Sequence, residues 1–187
     1  MVDRRFRFSI ESIEKINAKK LYAHWFINPT IALLESYKQV PFPFEVKCER
    51  IKSSRIGQGE VVQVEIHWRP DTFPNSERLL KTIQREVIVE HSAVAIAFLL
   101  VTEIASCKVT EVTLRGDKAD YFLNGRKIML EVSGTENAGK SVLRHREKCE
   151  QLLSNPYGKG GYVVICCFSN NMAIFSFHLP PKKAKKQ

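Results

Sequence analysis

The sequence has no Cys-x-x-Cys pair among its five cysteines, Cys48, Cys107, Cys149, Cys166 and Cys167. Their odd number, and the adjacency of two inside an apolar run, exclude a disulfide frame. They point to reduced core residues rather than a zinc cluster. No uninterrupted apolar segment follows the charged opening Met-Val-Asp-Arg-Arg-Phe-Arg, as a secretory signal would require. The longest apolar run, Ala93 to Thr102, is too short to cross a bilayer. A soluble, cytoplasmic protein without a membrane partner is expected. There is no internal repeat, and low complexity is confined to the tail from Pro180. The five histidines, His24, His67, His91, His145 and His178, show no metal-ligand spacing and read as core or surface residues. Negative charge is also in deficit, with 20 acidic against 29 basic residues and a net charge of +9. Lys182, Lys183, Lys185 and Lys186 carry much of that excess. A basic body with a basic tail favours a polyanionic partner, nucleic acid above all.

What remains is an ordinary globular composition, 44% apolar and 26% charged. Residues 9–40 read as helical, with Asn28-Pro29 as a helix start. Phe44, Val46 and Cys48, then Val62, Val64, Ile66 and Trp68, alternate with polar residues around Gly57 and Gly59, which predicts a hairpin. Trp25, Phe26 and Trp68 are expected to cover the core, ahead of stacking on bases. After a loop at 70–75, Ser76 caps a long helix reaching about Ala105, its second half central and buried. Strands follow at Val109–Leu114, Ala119–Leu123 and Lys127–Val132, then a helix at 137–153 and strands at Tyr162–Phe168 and Ala173–His178. The fold class is therefore α/β with a mixed sheet. Three segments are expected: an N-terminal helix and β-hairpin extension at 1–75, a core at 76–179 and a basic disordered tail at 180–187. Residues 1–75 carry no motif that connects to chemistry.

Asn124-Gly125 between apolar runs is a strong signal for a two-residue hairpin. That turn sets Leu123 opposite Arg126, Asp120 opposite Met129 and Lys118 opposite Glu131. Lys118, Asp120, Glu131 and Ser133 then share one face, expected to be wet, while Ala119, Tyr121, Ile128, Leu130 and Val132 share the other. Asp120 and Glu131 become diagonal neighbours, close enough to grip one hard cation.

Glu103 on the helix, Gly116-Asp117-Lys118-Ala119-Asp120-Tyr121, and Leu130-Glu131-Val132-Ser133 together resemble the PD-(D/E)XK, or restriction-endonuclease-like, superfamily. The resemblance covers residues 87–178 and implies an α-β-β-β-α-β core. It implies a Mg²⁺ or Mn²⁺ site formed by Glu103, Asp120, Glu131 and the Val132 carbonyl, and a nuclease acting on DNA. Catalysis would rest on Asp120, Glu131 and a cation that orients the attacking water. The family's lysine position holds Ser133 here, so Lys118 or Lys140 is the expected substitute. A non-catalytic nuclease-fold subunit that binds nucleic acid or a protein is the alternative. The sequence leaves the assembly open, a homodimer included. In the following helix Lys140, Arg144 and Lys148 recur every four residues, opposite Val142, Cys149 and Leu153, as a stripe for phosphates. Gly134–Ser141 also matches the phosphate-loop pattern G-x-x-x-x-G-K-[ST]. Against a nucleotide-binding reading stand the short remaining chain, the lack of an aspartate at the end of the next strand, and the antiparallel hairpin before the loop.

Overall fold

The structure, a computed structural model, describes residues 4–17, 21–51, 53–57, 59–69, 73 and 75–181. The basic residues of the tail, Lys182 to Lys186, lie outside the described residues.

One eight-stranded mixed sheet organises the chain, in the order β1-β3-β2-β8-β7-β6-β5-β4. Its strands are β1 (Arg5–Ser9), β2 (Phe42–Glu49), β3 (Val61–His67), β4 (Val109–Val112), β5 (Tyr121–Leu123), β6 (Ile128–Thr135), β7 (Gly161–Cys167) and β8 (Met172–His178). The expected front hairpin is β2–β3. It continues the same sheet, because β2 pairs in parallel with β8 from Glu45↔Met172 to Glu49↔Ser176. The helices are α1 (Ser12–Asn17), α2 (His24–Ser36), α3 (Ser76–Thr82), α4 (Arg85–Leu99) and α5 (Ser141–Leu153). One face of the sheet packs Leu130, Val132 and Val164 with the apolar residues of α2 and α4. The other packs Phe122, Met129, Val163 and Ile165 against Leu152 and Cys149 of α5.

The helical reading of 9–40 is corrected at its start and in its helix boundaries, with α2 ending at Ser36. A strand occupies Arg5–Ser9, and α2 begins at His24 with Pro29 inside it. The earlier start buries Ile27 against the core, while Trp25, expected to be covered, is 66% exposed. The single helix from Ser76 is two helices, broken where Ile83 is extended (φ −111°, ψ 141°). Their partners differ: α3 buries no residue, whereas α4 buries Ile88, Val89, Ser92, Ala93 and the whole run Ala95–Leu99. A π-helical turn, Leu100–Ile104, extends α4. The resulting stretch Arg85–Ile104 is long and apolar enough to cross a membrane by length, but 67% of its most apolar window is buried inside the protein, as befits a core helix.

The β5–β6 turn is longer than expected. Leu123 pairs with Ile128, Phe122 with Met129 and Tyr121 with Leu130, so the connection is Asn124–Lys127. Asn124, Gly125 and Arg126 all take positive φ (50°, 67° and 67°), which a two-residue loop does not accommodate. The register moves by two, which keeps every side chain on its expected face. The face expected to be wet is covered, because α5 lies on it: Glu131 is 0% and Ser133 2% exposed.

Candidate active site

β5 begins only at Tyr121, opposite Leu130, so from Glu131 onward the edge of β6 on that side has no strand partner among the described residues. Its backbone donors would be orphaned there, and two carboxylates take them. The Val132 N–H donates to Oδ2 of Asp120 at 2.8 Å, and the Gly134 N–H donates to Oε2 of Glu90, on α4, at 2.9 Å. The acids are thus fixed by the sheet itself, at the gap beside the start of β5.

α5 supplies the countercharge from the other side. Lys148 Nζ lies 2.5 Å from Oε1 of Glu131 and 3.3 Å from Oε1 of Gln151. Arg144 donates through Nη1 to Ser133 Oγ (2.8 Å), to the Gly134 carbonyl (3.0 Å) and to Oε1 of Glu90 (3.4 Å). Ser133 Oγ in turn donates to Oε1 of Glu90 at 3.2 Å. Three carboxylates therefore meet two cations, with Glu131 fully buried and Glu90 and Arg144 at the solvent-facing side. Among the described residues, none is a hydrogen-bond partner of the buried Oε2 of Glu131.

The titration behaviour follows from that packing. Burial, then the Asp120 charge, pushes the Glu131 carboxyl up to about 7 against the pull of Lys148. Burial raises Asp120 as well, opposed by the Val132 N–H and by Lys148. Burial alone would lower Lys148, but the bond to Glu131 and the surrounding carboxylates outweigh it and hold the ammonium charged.

Of the residues expected at this site, the structure brings together Asp120, Glu131, Val132, Ser133, Arg144 and Lys148. Val132 takes part through its N–H. Glu103 sits elsewhere: it lies about 20 Å further along the helix than Glu90, and its Oε2 is 3.6 Å from Arg55 Nη1. Lys118, with φ 62°, is exposed in the turn before β5, and the shifted register removes it from opposite Glu131. Lys140 is exposed at the mouth of a cleft of about 320 Å³ that also includes Arg85, Glu90, Glu136 and Arg144. Glu90 and the pairing role of Lys148 were the residues sequence reasoning missed. Glu90 directly follows the apolar run Val87–Val89 of the central helix; Lys148 already stood in the basic stripe. Arg144 and Lys148 of the stripe point inward, whereas Val142, expected on the covered side of α5, is 72% exposed.

Asp117, the acid next to the expected ligands, is used by the chain: its carboxylate accepts from the Leu114 N–H (2.7 Å) and the Tyr157 hydroxyl (2.9 Å). The segment resembling a phosphate loop spends three of its backbone donors internally. The Asn137 N–H goes to Thr135 Oγ1, the Gly139 N–H to Asn137 Oδ1 and the Lys140 N–H to the Asn137 carbonyl. One objection to that reading is itself corrected, since β6 is parallel to β7 on one side and antiparallel to β5 on the other.

No protein-family model matches the chain, and no match was found to a curated protein or to a solved structure.

Proposed function

We propose that the protein is a divalent-cation-dependent nuclease that cleaves phosphodiester bonds of DNA at Asp120 and Glu131, with Lys148 in place of the lysine that position 133 lacks. One observation carries the reading. A buried carboxylate oxygen, Oε2 of Glu131, has no hydrogen-bond partner among the described residues and stands beside a second, half-buried carboxylate, Asp120, although an ammonium lies on its other oxygen. An orphaned anionic oxygen in that setting is costly without a cation to meet it.

The donor set fits Mg²⁺ or Mn²⁺, which prefer carboxylate oxygens, and Asp120 and Glu131 would hold it. Bound there, such an ion neutralises charge developing on a phosphate and acidifies a water. The remaining work belongs to the chain. Lys148, held charged, has donors to orient a water at Glu131. Glu90 holds the β6 edge in place through the Gly134 N–H. Arg144 and Lys140 line the adjoining cleft and offer cations to flanking phosphates. The order α4-β4-β5-β6-α5-β7, with β4 to β7 adjacent in the sheet, also supports the reading, because it is the order of elements the resemblance implies.

The test is incubation of the purified protein with Mg²⁺ or Mn²⁺ and single- or double-stranded DNA or RNA. Metal-dependent cleavage of DNA is expected, falling at least about 10²-fold in Asp120→Asn, Glu131→Gln and Lys148→Met. Binding without cleavage on every substrate would leave the non-catalytic subunit as the function.

A further inference from the structure

α5 carries His145 and Cys149 one turn apart, and β8 carries His178 at its end. Sequence spacing conceals their meeting, because the ligands come from two distant elements. The histidines are expected to be core or surface residues and Cys149 a core thiol; the structure adds that His145, Cys149 and His178 lie together. Nε2 of His178 is 3.2 Å and Nε2 of His145 is 3.5 Å from Sγ of Cys149. One ligand atom from each of the three residues lies within 4.8 Å of the other two. In a tetrahedral zinc site with Zn–S about 2.3 Å and Zn–N about 2.0–2.1 Å, a sulfur–nitrogen edge measures about 3.5 Å. The two observed edges, both from the Cys149 sulfur, are close to that value.

The fourth side is polar. Ser176, two residues before His178 and therefore on the same face of β8, is fully buried. Its Oγ lies 2.7 Å from Nε2 of His145 and 2.8 Å from Nε2 of His178. Glu49 is paired with Ser176 across β2 and β8, which places a carboxylate on the same face beside the cluster. All three candidate ligands are half-buried, which leaves an ion a way in.

We propose that His145, Cys149 and His178 bind one Zn²⁺ ion, with the fourth position facing Ser176. Binding releases the Cys149 thiol proton to solvent and leaves both histidines neutral. Such an ion clamps α5 to β8. Each α5 ligand directly follows a cation of the acidic site, Arg144 before His145 and Lys148 before Cys149, so the same clamp fixes the helix that delivers both. The assignment does not depend on the nuclease reading.

The experiment uses the full chain, stripped with chelator under reducing conditions and titrated with Co²⁺ as a spectroscopic stand-in for Zn²⁺. A Glu131→Gln background keeps the acidic site from contributing. The expected result is a thiolate-to-Co²⁺ charge-transfer band with tetrahedral visible bands, saturating at one equivalent and erased by Zn²⁺. Cys149→Ser should abolish the charge-transfer band, and His178→Gln should weaken Co²⁺ binding at least about tenfold. Absence of the band in the parent protein, or its survival in Cys149→Ser, overturns the proposal; the four contacts would then be a metal-free hydrogen-bond network. If Cys149→Ser does not fold, the parent spectrum and His178→Gln decide alone, and unchanged affinity in His178→Gln refutes the site.

Discussion

The ammonium of Lys148 rests 2.5 Å from one oxygen of Glu131, while the other oxygen of that carboxylate is buried and unpartnered among the described residues. The pair is thus half satisfied: enough to hold the charge in place, with one coordination direction left for something else. Much of the behaviour expected of this protein follows from that imbalance.

Removing the ammonium should expose the cost of the buried carboxylate. Lys148→Met is expected to lose about 2–3 kcal/mol at pH 8, below the ~3–5 of a fully buried pair because the lysine side chain is 27% exposed. The loss should shrink at pH 5.5, where Glu131 takes up a proton and no longer needs its partner. Urea unfolding at the two pH values measures this, and equal losses would contradict it.

The response to a divalent cation should depend on pH with a definite sign. Glu131 titrates near 7 in the folded chain and near 4.3 unfolded, so the folded state holds the extra proton between those values. Stability from this group is present in full below about 4.3 and is lost as pH rises through 7. A cation that replaces the proton therefore binds better as pH rises. The melting shift given by millimolar Mn²⁺ should be larger at pH 8 than at pH 5.5, and Glu131→Gln should lose it. A shift larger at pH 5.5 would count against the site.

Asp120 has a second duty, accepting the Val132 N–H. Asp120→Ala leaves that donor buried and should cost about 1–3 kcal/mol. Asp120→Asn keeps an acceptor and should cost less than about 1 kcal/mol, while losing the Mn²⁺ response as fully as the alanine variant. Chemical denaturation of both proteins, with and without the cation, separates the two duties.

Gly134 lies where α4 crosses β6. A Cβ there would stand 2.6 Å from the Val89 carbonyl oxygen and 2.8 Å from Val89 Cγ1. Backbone cannot yield as a side chain tip does, so Gly134→Ala should destabilise the fold by about 1–3 kcal/mol. It should also shift Glu90 relative to the β6 edge. A neutral result in unfolding experiments would mean that α4 moves aside freely.

Nucleic-acid affinity, where measured, should fall steeply with salt through counterion release. Lys140→Gln should reduce the slope of that dependence by about one unit and weaken all sequences alike. Deleting residues 182–187 should reduce the slope without abolishing binding. Complete loss on deletion would show that the cleft cations contribute nothing.

Element types from Val109 onward were largely legible in the sequence, because alternation and the Asn-Gly turn are local signals. The shared face of Asp120 and Glu131 was legible for the same reason, and it survived a two-residue error in register because side-chain orientation has period two. Coverage was not legible. Phe122 and Met129 lie on the same face as both acids and are buried by α5, which only tertiary packing decides. Glu90 escaped notice because its role depends on β5 starting late, and Lys148 because a helix stripe reads alike whether it faces solvent or a buried carboxylate. The meeting of His145 and Cys149 with His178 spans α5 and β8 and leaves no trace in spacing.

An open sheet of this width has two rims, and each is guarded against joining another sheet. β1 is only five residues long and carries the exposed Arg5 and Arg7. β4 is four residues long, broken by a register irregularity between Val109 and Glu111 and flanked by the Arg126–Glu111 ion pair. The longest strands, β2 and β6, lie inside. Short, charged, irregular margins make poor templates for strand addition, so the apolar interior strands stay out of reach of aggregation while the chain remains folded.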